Sequence, residues 1–361
     1  MIDLIMIGCG GFARRYHIPT VLADPGLRLT AIFDPLPSDA VQALAAASGA
    51  PLVPSLDALP QPQGTVMAIV TTPHTLHAAH VAAALARGWH VLCDKPFVSH
   101  AAEARTLAKA AAQCGLTNAV AFNRRFDDGC LRAHEALREG AIGPVRYVQT
   151  VQLGYEKAGW FLDPALGGGG PYTGRASHMA DLLPWLLGLR PTAVRSRLRD
   201  GPPGRSDHGG FIELRFGELE CQMTCIEEGL HGWDEVRIFG EDGLIELRRP
   251  VTLPIGWAFR MQTRRGAAVE SLAANPEPGG ATRDFLSALR HGTPVACDFA
   301  AAVTSVQVVE EAFASARADA TWRALQQLPP EWNHSVGILA LESDTSRARD
   351  RSRRIDRSTA P

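Results

Sequence analysis

Short apolar runs alternate with alanine-rich, amphipathic segments over the first third of the chain. The apolar runs, each of which predicts a strand, cover residues 4–7, 27–33, 66–70, 90–92 and 116–121. The segments between them, which predict helices, cover residues 12–23, 38–48, 75–87 and 100–114. Strands and helices that alternate at this spacing form βαβ units, and nearly all-apolar strands are typical of a sheet covered on both faces. The pattern therefore predicts an α/β fold with a doubly wound parallel sheet over residues 1–121.

After residue 122 the pattern changes to strands in which apolar and polar residues alternate. A helix predicted at 128–139 is followed by strands at 145–153, 193–198, 210–216, 218–226, 234–239 and 243–247. Further helices are predicted at 179–187, 283–291 and 300–316. The turn Gly240-Glu241-Asp242-Gly243 and the meander spacing are typical of an antiparallel sheet with one face packed on helices. We expect a second α/β domain over residues 122–335, with an open, mainly antiparallel sheet, and a disordered polar tail over 336–361.

Length, charge and cysteine content narrow the functional class. The chain has 361 residues, which suits two domains better than one. Its 36 basic and 38 acidic residues give a formal net charge of −2, so no basic surface for nucleic acid is expected. No uninterrupted apolar stretch reaches the roughly 18–20 residues of a membrane span, and Asp3 within the otherwise apolar first five residues argues against a signal peptide. Seven cysteines without framework spacing indicate reduced thiols, so we expect a cytoplasmic protein that binds neither nucleic acid nor membrane.

A glycine-rich turn follows the first predicted strand and opens the first predicted helix. In Gly8-x-Gly10-x-x-Ala13, Gly8 permits a tight turn, Gly10 lets backbone N–H groups approach a pyrophosphate, and Ala13 keeps the helix close to the sheet. The motif alone is weak, but Asp34 at the end of the second strand is placed to bind the ribose hydroxyls of an adenosine. We therefore predict a dinucleotide-binding Rossmann domain. The cofactor is expected to be NAD, because residues 35–38 contain no cation for a 2′-phosphate, although NADP stays possible.

Three histidines, His74, His77 and His80, are spaced three apart near the start of a predicted helix. A metal site would need these side chains on one face, but steps of three drift around a helix, and no acid or cysteine joins them. Solvated histidines on an alanine-rich helix are the simpler interpretation, so no metal site is predicted.

Two further segments carry candidate chemistry. Pro96 disfavours helical geometry for Lys95, which places an extended lysine at the carboxyl edge of the parallel sheet, where ligands bind. Later in the chain, four glycines at 167–170 precede His178 and Asp181, which share one face of a predicted helix. Each has a simpler interpretation, a solvated loop lysine or a capping or core histidine, and neither alone would indicate a site.

Taken together, these features resemble the Gfo/Idh/MocA oxidoreductase family over about residues 2–325. The resemblance rests on an ordered set of motifs: Gly8-x-Gly10-x-x-Ala13 with His17-x-Pro19, Thr72-Pro73 with His77, Asp94-Lys95-Pro96, Asn123-Arg124-Arg125-Phe126, residues 160–164, His178-x-x-Asp181, residues 239–243 and residues 285–289. No single motif would be specific, but the ordered set is. Two positions depart from the family pattern, since Gly174 stands where the family has Asp and His74 stands where it has Asn.

The resemblance implies a reaction and an assembly. A member of this family would transfer a hydride between NAD(P) and a secondary alcohol or ketone carbon of a sugar, sugar derivative or cyclitol. Lys95 would orient the substrate oxygen and stabilise alkoxide charge, His178 would be the general acid/base, and Asp181 would orient His178 or bind a substrate hydroxyl. A homodimer or homotetramer would form through the free face of the second sheet. Two alternatives stay open: a reductase of an NDP-keto sugar or an imine, and a non-catalytic dinucleotide-binding sensor.

The resemblance also assigns binding residues. The expected cofactor contacts are Gly8, Gly10, Gly11, Phe12, Ala13, Asp34, Thr72, Pro73, His77, Asp94 and Lys95. The expected substrate contacts are Arg124, Tyr172, Arg175 and His178. Because Gly174 removes a carboxylate next to Arg175, the sequence favours a substrate that bears a carboxylate or phosphate. The alternative is that Arg175 faces solvent or pairs with an acid.

Overall fold

A computed structural model of the chain describes residues 1–154, 158–170, 172–227, 232–250, 256–264, 266, 268–271, 279–329 and 332. The tail predicted to be disordered, 336–361, lies outside the described residues. Within the described residues, no helix is long and apolar enough to cross a membrane. All seven cysteines are free thiols, and six of them are buried.

The first sheet has six parallel strands in the order β3-β2-β1-β4-β5-β6, which confirms the predicted doubly wound arrangement. Its strands are β1 (Ile2–Ile7), β2 (Leu27–Phe33), β3 (Leu52–Val53), β4 (Val66–Val70), β5 (His90–Asp94) and β6 (Asn118–Ala121). Its helices are α1 (Gly11–Tyr16), α2 (Ile18–Ala23), α3 (Asp39–Ser48), α4 (His77–Ala86) and α5 (Ala101–Gln113). The central strands β1 and β4 are buried along their whole length, as their nearly all-apolar sequences require, and the one carboxylate among them, Asp3, accepts hydrogen bonds from Arg28 and Thr30.

Two local differences from the predicted elements have clear causes. The single helix predicted at 12–23 is two helices, because Pro19 has no N–H to donate to the carbonyl four residues earlier and the chain breaks at His17. The two-residue strand β3 was not predicted, since two residues are too short to show a periodic pattern.

The second sheet has nine strands in the order β14-β13-β12-β11-β7-β10-β9-β8-β15. Its strands are β7 (Val145–Leu153), β8 (Ala193–Leu198), β9 (Gly209–Phe216), β10 (Leu219–Ile226), β11 (Trp233–Gly240), β12 (Gly243–Pro250), β13 (Ala258–Thr263), β14 (Val269–Ser271) and β15 (Arg323–Ala324). All neighbouring strands are antiparallel except β7 and β10, which confirms a mainly antiparallel sheet.

Helices cover one face of the second sheet. The helices that follow α5 are α6 (Asp128–Arg138), α7 (Pro164–Gly167), α8 (Ser177–Leu187), α9 (Gly280–His291) and α10 (Phe299–Arg317). Residues of α6, α8 and α10 share one apolar core with the inward-facing residues of the sheet, while the other face carries alternating polar residues.

The last third of the chain returns to the first sheet. Phe285 of α9 is buried in one core with residues of β1 and α1. Arg290 donates two hydrogen bonds of 2.8 Å to Asp24, and Nδ1 of His17 lies 2.9 Å from the hydroxyl of Thr282. The two predicted domains are therefore packed together, and the sequence boundary between residues 121 and 122 stays a prediction.

Candidate active site

The glycine-rich turn between β1 and α1 has the shape of a phosphate cradle. Gly8 has a φ of 84°, and a Cβ there would lie 2.8 Å from the side chain of Thr72, so glycine is required at this position. A Cβ at Gly10 or Gly11 would meet nothing within 4 Å. The surface over the first turn of α1 is therefore open, and backbone N–H groups there fit a pyrophosphate.

Asp34 lies beside this turn, at the end of β2. Its carboxylate accepts hydrogen bonds from the backbone N–H of Cys9 at 3.0 Å and of Leu36 at 3.1 Å. These two bonds hold the carboxylate where a Rossmann domain binds the adenosine ribose.

We expect NADP to bind at least about tenfold more weakly than NAD, since two like charges about 4 Å apart repel by roughly 1 to 4 kcal/mol. Fluorescence titration of the protein with both cofactors measures the difference. Asp34→Asn should reduce the difference in affinity between NAD and NADP. Equal or tighter binding of NADP by the unaltered protein would contradict the prediction.

The remaining predicted cofactor residues have different environments. Ala13 is fully buried against the sheet, whereas Phe12 stacks on Tyr16 with ring centroids 4.4 Å apart. Pro73 begins the single 3-10 turn that leads into α4. Burial raises the pKa of Asp94, at the end of β5, to about 6.

The three histidines after β4 are buried, so the expectation that they are solvated is wrong. Nε2 of His77 lies 2.8 Å from the carbonyl of Thr72, and its Nδ1 lies 2.8 Å from the carbonyl of Pro96. His80 contacts the hydroxyl of Thr72 at 2.8 Å, and His74 contacts the carbonyl of Gly167 at 3.0 Å. These rings therefore join the loops after β4 and β5 to each other and to the end of α7.

Lys95 connects the edge of the first sheet to the segment that leads into α8. It follows β5, where its backbone N–H donates to the carboxylate of Asp94 at 2.8 Å. Its half-buried Nζ donates to the carbonyl of Gly174 at 3.1 Å. The ammonium group therefore lies between the carboxyl edge of the first sheet and the segment that leads into α8.

That segment, Tyr172–Ala176, forms one π-helical turn directly before α8. A Cβ at Gly174 would meet nothing within 4 Å, so open space lies beside the contact between Gly174 and Lys95. His178 follows on the first turn of α8, and its buried Nδ1 has no hydrogen-bond partner among the described residues. Burial lowers the pKa of His178 well below its usual range, and the positive charge of Lys95 lowers it further, so the ring is neutral at pH 7.

Asp181 and Tyr172 lie elsewhere than expected. Asp181 accepts hydrogen bonds of 2.9 and 2.6 Å from Arg125, so its carboxylate holds α8 against the end of β6 and does not orient the ring of His178. Tyr172 is fully buried, and its hydroxyl donates to the carbonyl of Phe211 at 3.1 Å. Its hydroxyl is therefore bonded to β9 of the second sheet.

Arg175 is the second predicted substrate residue with an unexpected environment. It is buried, its Nε donates to Glu227 at 2.7 Å, and its Nη1 lies 3.7 Å from Asp234. Any side chain at Gly154, at the end of β7, would collide with this guanidinium. Arg175 therefore pairs with an acid, which is the alternative given in the sequence analysis.

Arg124 and Arg249 complete what we call the arginine cluster: Arg124, Arg175, Arg249, Glu227 and Asp234. Asp234 accepts a hydrogen bond of 2.9 Å from Arg124 and one of 2.7 Å from Arg249. The sequence analysis missed Arg249, Asp234 and Glu227. Strand parity could have found Arg249, because it shares the inward face of β12 with the buried Ile245 and Leu247.

The sequence matches known protein families over most of its length. A profile described as an oxidoreductase family with an NAD-binding Rossmann fold, GFO/IDH/MocA, matches residues 2–122, and the GFO/IDH/MocA C-terminal domain matches residues 130–246. The chain belongs to the GFO/IDH/MocA oxidoreductase family. This confirms the resemblance, and the first domain has an NAD-binding Rossmann fold.

Three relatives illustrate the range of this oxidoreductase family. D-glucoside 3-dehydrogenase of Escherichia coli (strain K12) is 28% identical over 260 residues, 69% of this chain and 70% of that protein. dTDP-3,4-didehydro-2,6-dideoxy-alpha-D-glucose 3-reductase of Streptomyces antibioticus is 28% identical over 327 residues, 86% of this chain and 96% of that protein. The crystal structure of GenD2 from gentamicin A biosynthesis, in complex with NAD, is 25% identical with a TM-score of 0.75 and covers 90% of this chain and 97% of GenD2.

Proposed function

We propose that this oxidoreductase transfers a hydride between nicotinamide C4 and a secondary alcohol or ketone carbon of a sugar, sugar derivative or cyclitol. The observation that carries the proposal is the meeting of Lys95 with the segment before His178, beside open space at Gly174. A cation and a neutral imidazole at one site are what removal of a hydroxyl proton requires.

Each residue of the proposed site has its own role in hydride transfer. NAD, when bound on the glycine-rich turn, supplies the hydride acceptor. Lys95 orients the substrate oxygen and stabilises the negative charge that develops on it. Neutral His178 accepts the hydroxyl proton during oxidation, and in its protonated form returns a proton during reduction. Asp181 is a positioning residue, because its hydrogen bonds with Arg125 hold α8, which carries His178, in place.

A spectrophotometric panel tests the function. The purified protein is incubated with NAD and with neutral hexoses, cyclitols, sugar acids and sugar phosphates, and NADH is followed at its absorbance maximum. We expect NADH formation with at least one class, at a rate about 10²-fold or more lower with Lys95→Met at the same protein concentration. Hydride transfer with no member of the panel, in either direction, would contradict the proposal.

Reduction of a keto sugar is the second candidate. The keto-sugar reductase from Streptomyces antibioticus matches over 96% of its own length, a larger share than the glucoside dehydrogenase, and the same residues serve both directions. The non-catalytic sensor is disfavoured, because the named relatives reported above are a dehydrogenase and a reductase. A homodimer or homotetramer formed through the free face of the second sheet, and a cytoplasmic location, stay predictions.

A further inference from the structure

The arginine cluster brings three guanidinium groups together around one buried carboxylate, that of Asp234. Among the described residues, Glu227 pairs with Arg175, and the carboxylate of Asp127 is close enough to Arg249 for the two charges to interact. Asp234 is completely buried, and Arg124 is 5% exposed, so water screens this charge little. An oxyanion that reached these guanidinium groups would therefore interact with charge that water screens little.

The cluster also has hydrogen-bond donors that the described residues leave without partners. Nε of Arg124 and Nε of Arg249 are buried and donate to no acceptor in the described part of the chain. The ring of Trp257 lies against both arginines, and its Nε1 is also buried and donates to no acceptor in the described part of the chain. Buried N–H groups without an acceptor are rare in folded proteins, so several of them at one place point to a ligand or to bound water.

The cluster lies near the proposed general base. Arg175 lies on the same turn as Gly174, whose carbonyl accepts from Lys95, and this turn leads directly into His178. The charges of Arg124, Arg249 and Arg175 also lower the pKa of His178. A ligand whose hydroxyl or carbonyl meets His178 would therefore have the cluster in its neighbourhood.

The guanidinium groups are held in fixed positions. Asp234 binds Arg124 and Arg249 through the same oxygen, and the guanidinium carbons of the two lie 5.1 and 5.4 Å from the ring centroid of Trp257. Donors fixed in this way lose little conformational freedom when they bind a ligand. The side chain of Arg249 is 27% exposed, so a ligand can reach it.

We propose that Arg249, supported by Arg124, binds an oxyanion of the substrate, a carboxylate or a phosphate; this inference rests on the function proposed above. The substrate is then an acidic sugar derivative and not a neutral sugar or cyclitol. This keeps the anionic substrate expected from the sequence but assigns its recognition to Arg249 in place of Arg175.

Calorimetric binding to the protein saturated with NADH tests the inference without turnover. Glucuronate and gluconate provide the carboxylate, glucose 6-phosphate and UDP-glucose the phosphate, and glucose and myo-inositol the neutral controls. We expect at least one oxyanion class to bind about tenfold or more tightly than its neutral counterpart, as a charge-assisted hydrogen bond allows. Tighter binding of the sugar acids would identify the oxyanion as a carboxylate, and tighter binding of glucose 6-phosphate or UDP-glucose would identify it as a phosphate.

Variants separate a specific contact from a general effect of charge. Arg249→Gln should weaken oxyanion binding about 10- to 100-fold and leave neutral ligands unchanged, and Arg249→Lys, which keeps a cation beside Asp234, should weaken it less. Arg146→Gln removes the same charge from an exposed position at the opposite end of β7 and should change nothing.

Equal affinity for neutral and acidic ligands, binding of no oxyanion, or equal loss of both ligand types in Arg249→Gln would each overturn the inference. Turnover reports separately on the proposed function. Oxidation of glucose or myo-inositol alone would leave that function standing while the oxyanion site fails. Oxyanion binding that depends on Arg249, without hydride transfer to or from any ligand, would reject the function instead.

Discussion

Lys95→Met is expected to lower kcat by about 10²-fold or more, the usual cost of removing a group that stabilises developing charge. The Nζ of Lys95 reaches across from β5 to the carbonyl of Gly174, which places its charge beside His178. Methionine keeps the length and the apolar stem but loses the charge, so the fold should be retained and NAD affinity should fall far less than kcat. Steady-state kinetics with saturating NAD measure kcat, and fluorescence titration measures NAD binding.

Two variants control this experiment. Lys95→Arg should also be impaired, because a planar guanidinium cannot replace a compact ammonium that donates to one carbonyl. Lys109→Met removes an exposed lysine on α5 and should leave kcat unchanged. Arginine supplies nearly all the basic residues of this chain, with Lys95, Lys109 and Lys157 the exceptions. Full activity of Lys95→Arg would remove the argument that a lysine is needed here.

The first sheet was predictable because its signals are local. The runs at β2 and β4 match the observed strands at both ends, since both are mainly apolar and are bounded by polar or turn residues. The π-helical turn at Tyr172–Ala176 was not predicted, because its geometry depends on packing between α7, α8 and the sheet. The parallel pairing of β7 with β10 also has no local signal, since strand order is decided by the whole sheet.

The candidate site was predictable where backbone geometry demands a residue type. Gly8 needs its positive φ, and Lys95 is fixed by its place after β5. The pairing of the charged side chains was not predictable, because the two members of each pair lie far apart in sequence. Asp181 pairs with Arg125, 56 positions earlier, and Arg175 pairs with Glu227, 52 positions later. Sequence reasoning could name these charged groups but could not tell which of them neutralise one another.

His178→Asn is expected to lower kcat for oxidation by about 10²- to 10⁴-fold, the usual contribution of a positioned general base. Oxidation needs the neutral imidazole, so the rate falls when His178 becomes protonated. Because burial and nearby cations lower the pKa of His178, the ring stays neutral below its usual titration range. The rate of the unaltered protein should therefore stay level down to pH 6.5 and fall only at lower pH. The variant should lose this acidic limb.

A second variant tests the sign of the electrostatic effect. Lys95→Met removes a positive charge that lowers the pKa of His178, so the acidic limb of its residual activity should move to higher pH. His291→Asn, at the exposed end of α9, is the matched control and should keep both the rate and the profile. If His178→Asn kept the rate and the pH–rate profile of the unaltered protein, bound water would be the group that accepts the hydroxyl proton. Tyr172 could not take it, because its hydroxyl is bonded to Phe211 and burial raises its pKa.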